Sequence, residues 1–117
     1  VLEAEWVAAG AHVNAMGSNQ AARRELPAAL LTRAARIAID SIQQGRMESG
    51  DLLLAGQAAW DRVIELQEIV AGTVAGRTAA QEITVFKSNG LAIEDVAAAA
   101  HIYEQAQGQA RRLPLLE

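Results

Sequence analysis

Three times along the chain a short run of apolar or β-branched residues leads into small polar ones. The runs are residues 12–19 (His-Val-Asn-Ala-Met-Gly-Ser-Asn), 35–41 (Ala-Arg-Ile-Ala-Ile-Asp-Ser) and 82–90 (Glu-Ile-Thr-Val-Phe-Lys-Ser-Asn-Gly). Each predicts a buried strand that feeds a loop. Between and beyond these runs the apolar spacing turns helical. Pro27 opens a short helix over 28–34, with Leu30, Leu31 and Ala34 on one face. Trp60, Val63, Ile64, Gln67 and Val70 predict an amphipathic helix over 60–71, stopped by Gly72. The longest pattern, over 91–110, sets Ala92, Val96, Ala99, Tyr103 and Ala106 on one alanine-rich stripe suited to close packing. Glu94 and Asp95 stand near its positive end.

The intervening stretches are less regular. Residues 1–9, with Trp6 and Val7, predict a helical turn or an incoming loop, and 73–81 a loop around Gly76 and Arg77. Gly45 and Gly50 argue against one long helix across 42–56. The last seven residues, 111–117, carry Leu113, Pro114, Leu115 and Leu116 and are apolar enough to predict a covering contact. Strands alternating with helices give an α/β fold with a small, mainly parallel sheet of about three strands and flanking helices. In such sheets ligands sit outside the carboxyl ends of the strands, so Met16, Gly17, Ser18 and Asn19 occupy the place where a site is built.

Composition narrows the chemistry. The 117 residues, 51% of them apolar, suffice for one domain with a real core. A net charge of −4 leaves no basic stripe, and Trp6, Trp60, Phe86 and Tyr103 are too scattered for base stacking, which argues against nucleic acid. No apolar run reaches the length of a membrane span. Without cysteine there are no disulfides or thiolate metal sites, and a reducing, cytoplasmic setting is the default expectation. Val1 and the lack of an export leader make the amino terminus read as cut.

Few residues stand out as chemistry on spacing alone. His12 reads as a structural histidine in a strand, and His101 has no partner at metal spacing, so no metal site is assigned. Lys87 reads as a solvated lysine at a strand end. Arg23, Arg24 and Glu25 read as a solvated, salt-bridged face. Glu48 and Asp51 flank Gly50, where Ser49 or Asp51 is expected to cap a helix. No Gly-x-Gly-x-x-Gly turn occurs anywhere.

Five segments in order resemble the carboxyl-terminal part of the ornithine cyclodeaminase and mu-crystallin family. They are Gly10-Ala11-His12-Val13-Asn14-Ala15-Met16-Gly17 with Arg24-Glu25-Leu26, then Ile39-Asp40-Ser41, then Glu48-Ser49-Gly50-Asp51, then Val85-Phe86-Lys87-Ser88, then Gly90-Leu91-Ala92-Ile93-Glu94-Asp95. The resemblance implies a partial, three-layer, Rossmann-like NAD(P)-binding domain over 1–90, followed by a carboxyl-terminal helix and tail over 91–117. In such subunits the final helix joins a dimerisation domain, so a homodimer or higher homo-oligomer is implied. NAD or NADP is the implied cofactor, although the glycine-rich turn that holds its pyrophosphate is not in this sequence. By the same resemblance Met16 and Ser88 match positions lining the nicotinamide site, and Gln43 matches one near the substrate. Asn19 stands where ornithine cyclodeaminases have an aspartate serving as acid or base. An amide does not exchange a proton near neutral pH, so the resemblance favours ketimine reduction or amino-acid dehydrogenation over cyclodeamination. Read from the residues alone, Met16 is a core methionine, and Asn19 and Ser88 are caps.

Overall fold

In the computed structural model, which describes residues 2–108, four strands form one parallel sheet: β1 (His12–Ala15), β2 (Arg36–Ile39), β3 (Val63–Glu65) and β4 (Thr84–Lys87). Their order is β1-β4-β2-β3, so the last strand inserts between the first two. Register follows directly: Ala15 lies beside Lys87, and Lys87 beside Ile39. The three strand ends that the sequence marked are therefore immediate neighbours.

Alternation along the strands sorts the two faces. Val13, Ala15, Ile37, Ile39 and Val85 join one apolar cluster with Leu30, Leu31, Leu52 and Ala59. Those helical residues come from α1 (Ala28–Arg33), α3 (Gly50–Ala55) and α4 (Gln57–Trp60), so these helices cover that face. Pro27 sits at the N-cap of α1 with extended backbone, and the helix ends where Ala34 returns to extended geometry, with only Ala35 between it and β2. A 3-10 turn at Ala4–Trp6 closes the end of this layer with Ala4 and Val7 buried.

The 42–56 stretch forms two helices, α2 (Ile42–Glu48) and α3, which meet at Ser49. Ser41 caps α2, its side chain accepting from the Gln44 N–H at 3.3 Å. Gly45 lets α2 lie close on the sheet, since a Cβ there would fall 2.4 Å from Ile39 Cδ1.

The helix expected over 60–71 is a correction. The chain there makes the end of α4, then β3, then α5 (Leu66–Val70). Val63 and Ile64 are β-branched and pair with Ile37 and Ala38, which outweighs their helical spacing. Glu65 and Glu68 then form a reciprocal capping box that starts α5. Leu66 and Ile69 of α5 lie over the opposite face of the sheet, which carries His12, Asn14, Arg36, Ala38, Thr84 and Phe86.

The last helix, α6 (Ala92–Gln105), has no buried residue. The packing expected for its alanine stripe is therefore not found among the described residues, and Ile93, Val96, Ile102 and Tyr103 are exposed. The end of the expected 91–110 pattern and the apolar 111–117 segment lie outside the described residues. No helix among the described residues is long and apolar enough to cross a membrane.

Candidate functional site

Three loops meet at the carboxyl edge of the sheet: 16–19 after β1, 40–41 after β2 and 88–90 after β4. The Ser88 N–H donates to Ala15 O at 3.0 Å, fastening the end of β4 to the residue before Met16. A cleft of about 530 Å³ opens beside β1, walled by Val13, Asn14, Gly17, Ser18, Asn19 and residues 23–26. Met16 is 68% exposed, which sets aside its reading as core. Asn19 is exposed on the cleft wall, and its side chain has no hydrogen bond among the described residues. Gln43 is exposed on the first turn of α2, likewise without a bond. Its neighbour Gln44, which sequence reasoning passed over, reaches across the edge and donates to Gly90 O at 3.1 Å.

Ser88 is buried. Its hydroxyl donates to Asp40 Oδ2 at 2.9 Å and accepts from the Gly90 N–H at 3.1 Å. The same Asp40 oxygen accepts from the N–H groups of Asn89 and Gly90, both at 2.8 Å, while Oδ1 accepts from the Ser41 N–H at 3.0 Å. One carboxylate thus shapes the turn after β4. Carboxylates suit that task because they are acceptors alone, with room for several donors.

A second carboxylate shapes the loop after β1. Glu25 Oε1 accepts from the Gly17 N–H at 2.9 Å and the Ser18 N–H at 3.3 Å. Gly17 leaves room for this carboxylate, since a Cβ there would fall 2.7 Å from Glu25 Oε2 and push the side chain aside. Asp51 holds the other end of the segment, its Oδ1 accepting from the Glu25 and Leu26 N–H groups at 2.8 Å each. Gly50 lets that backbone approach, since a Cβ there would fall 1.9 Å from Arg23 O.

Lys87 joins the two carboxylates. It is fully buried, with Nζ 3.1 Å from Asp51 Oδ2 and 3.4 Å from Glu25 Oε1, and it donates to Ser18 O. Three expectations are corrected here. Lys87 is not solvated, Glu25 turns inward instead of joining a surface face with Arg23 and Arg24, and Asp51 caps a distant loop instead of its own helix. The burial of Lys87 was legible: period two puts it on the face of Ile83 and Val85, both buried. Its partners were not legible, because they come from segments far away in sequence.

The opposite face carries a smaller cavity of about 320 Å³ between the sheet and α5. His12 Nδ1 lies 2.7 Å from Thr84 Oγ1, and Arg77 donates to that oxygen and to the carbonyls of Gly10 and Ala11. Glu82 closes the preceding loop. Hydrogen bonds from the Thr78 N–H and then the Thr78 hydroxyl, both 2.7 Å, hold its carboxyl below the ordinary range, with help from Ala79 and Arg36. No group of three or more potential metal ligands occurs among the described residues.

A parallel four-stranded sheet flanked by helices, with loops gathered at its carboxyl edge, defines a Rossmann-like α/β protein. The chain belongs to the ornithine cyclodeaminase/mu-crystallin family, whose model matches residues 1–110. It is 37% identical over 110 residues to an alanine dehydrogenase of Archaeoglobus fulgidus, covering 91% of this chain and 34% of that protein. It is 41% identical over 104 residues to the ketimine reductase mu-crystallin of Mus musculus, covering 89% of this chain and 31% of that protein. The structure of Thermococcus litoralis Delta(1)-pyrroline-2-carboxylate reductase in complex with NADH and L-proline superposes with a TM-score of 0.85 at 33% identity. That match covers 98% of this chain and 36% of the other. The chain therefore spans about a third of the length of the relatives it matches.

Proposed function

We propose that this chain forms the nicotinamide-side wall of an NAD(P)-dependent oxidoreductase, acting in ketimine reduction or amino-acid dehydrogenation in preference to cyclodeamination. The observation that carries the reading is the fastening of two ordered loops, 16–19 and 88–90, side by side at the carboxyl ends of adjacent strands. The relative whose structure holds NADH and L-proline superposes over this same stretch. The residues present fit the nicotinamide end of the cofactor, with Met16 exposed at the carboxyl end of β1 and Gly17, Ser18 and Asn19 lining the cleft. They offer no glycine-rich turn for its pyrophosphate.

When bound, the cofactor supplies the hydride. The contribution of this chain is positional. Glu25 and Lys87 fix the 16–19 loop, and Asp40 fixes the 88–90 turn together with Ser88. Asn19 presents an amide to the cleft, able to donate and accept hydrogen bonds but not to move a proton near neutral pH. It orients a ligand and leaves acid–base work to other groups. Gln43, at the start of α2, is the candidate substrate-side contact.

Alone, the chain lacks turnover and associates with itself as a dimer or higher homo-oligomer. The exposed Ile93, Val96, Ile102 and Tyr103 of α6 favour that association. They also favour a second reading, a stand-alone oligomeric interaction module or small-ligand binder. Calorimetric titration of the full chain with NADH and NADPH, with light scattering in the same buffer, tests both readings. The expected result is an oligomer without micromolar nucleotide binding. Micromolar affinity would overturn the partial-site reading, and a monodisperse monomer would overturn the association.

A further inference from the structure

We propose that Lys87 is a positioning residue that sets the conformation of the 16–19 loop, and with it the wall of the cleft. The last step rests on the functional reading above; the first does not.

A fully buried lysine is an expensive way to hold two strands together, because an apolar side chain of similar volume would do so without desolvating an ammonium. The geometry explains what the ammonium adds. The ammonium donates to Ser18 O and Glu25 Oε1 and forms an ion pair with Asp51 Oδ2 at 3.1 Å, so it contacts three oxygens at once. These acceptors belong to the loop after β1, the entry to α1 and the first turn of α3. No apolar side chain could hold a backbone carbonyl in place.

Each contact bears on the same short segment. Ser18 is held through its carbonyl by Lys87 and through its N–H by Glu25. Its hydroxyl also donates to Arg23 O at 3.1 Å. Glu25 is itself fixed by the pairing of its N–H with Asp51. Lys87 thus stands at the node where the loop, its carboxylate and the anchoring helix meet. Two of its partners, Ser18 and Glu25, line the cleft.

The test is site-resolved amide hydrogen exchange on the full chain, comparing wild type with Lys87→Met. The expected result is exchange about ten- to a hundredfold faster at Gly17 and Ser18, from loss of a hydrogen-bonded charge network, after correction for any change in global stability. Exchange at the Ile37 and Val85 amides, corrected in the same way, stays unchanged. Acceleration spread evenly over loop and sheet, or none at the loop, would overturn the proposal in favour of a merely stabilising pair. Should Lys87→Met fail to fold, Lys87→Gln supplies the test. It keeps a neutral donor but ends the ion pairs and leaves Glu25 in place, and is expected to raise exchange at Gly17 and Ser18 by a smaller factor; unchanged loop exchange would overturn the proposal. Because the readout needs no nucleotide, a failure to bind cofactor would remove the functional reading and leave the loop assignment standing.

Discussion

Asp40 and Ser88, 48 residues apart, meet through a 2.9 Å hydrogen bond from the serine hydroxyl to the carboxylate, and the turn after β4 takes its shape from that meeting. Three donors of that turn converge on one carboxylate oxygen. Ser88 serves first as a fastening, and whatever it offers a ligand depends on Asp40 keeping it there. Replacing Asp40 by alanine removes all of these bonds and is expected to lower stability by about 1.5–3 kcal/mol, with Asp40→Asn losing less. Urea denaturation of the two variants against wild type measures both losses.

Asp51 carries a heavier consequence. It is buried beside the equally buried Lys87 and accepts two backbone N–H groups. Asp51→Ala removes one of the two carboxylates facing the buried Lys87 and leaves two amides without their acceptor, an expected loss of about 3–5 kcal/mol and a large share of the stability of a small domain. Asp51→Asn keeps an acceptor for the amides and is expected to lose less. Chemical denaturation distinguishes them, and equal losses would mean that a neutral acceptor recovers nothing and that the charge of Asp51 carries the whole contribution.

Much of this architecture was legible in the sequence and some was not, for identifiable reasons. The strands around Val13, Ile37 and Val85 announced themselves by β-branched runs ending in polar loops, and their parallel pairing follows from the helices between them. Strand β3 was hidden because Trp60, Val63, Ile64 and Gln67 happen to share a helical stripe; a three-residue strand between two short helices is too brief for periodicity to resolve. Asp51 follows Ser49 and Gly50 in the pattern of a helix cap, and its true partners, Glu25 and Leu26, lie in another segment. The site was readable as a place, the carboxyl edge, but not as the ion network that shapes it.

Glu82 gives a prediction about pH. Its carboxyl is held below the ordinary glutamate range, chiefly by hydrogen bonds from Thr78, so it favours its charged form in the folded state. A carboxyl depressed in this way contributes stability above its unfolded value, and the contribution is lost as pH falls through the folded one. The Thr78 amide resonance is therefore expected to titrate with a midpoint below that of an ordinary glutamate. Thr78→Ala, which removes the hydroxyl donor, is expected to move the Glu82 midpoint upward. A midpoint unmoved by that change would mean that the hydroxyl is not a cause.

The central claim is that the paired loops after β1 and β4 face the nicotinamide half of a dinucleotide. The most direct measurement is a nuclear magnetic resonance titration of the full chain, isotopically labelled, with reduced nicotinamide mononucleotide, a probe that needs no pyrophosphate-binding turn. The account predicts weak, saturable shifts centred on the Met16 methyl group and on the amides of Gly17, Ser18, Ser88 and Asn89. Shifts centred elsewhere, or none at millimolar ligand, would contradict it.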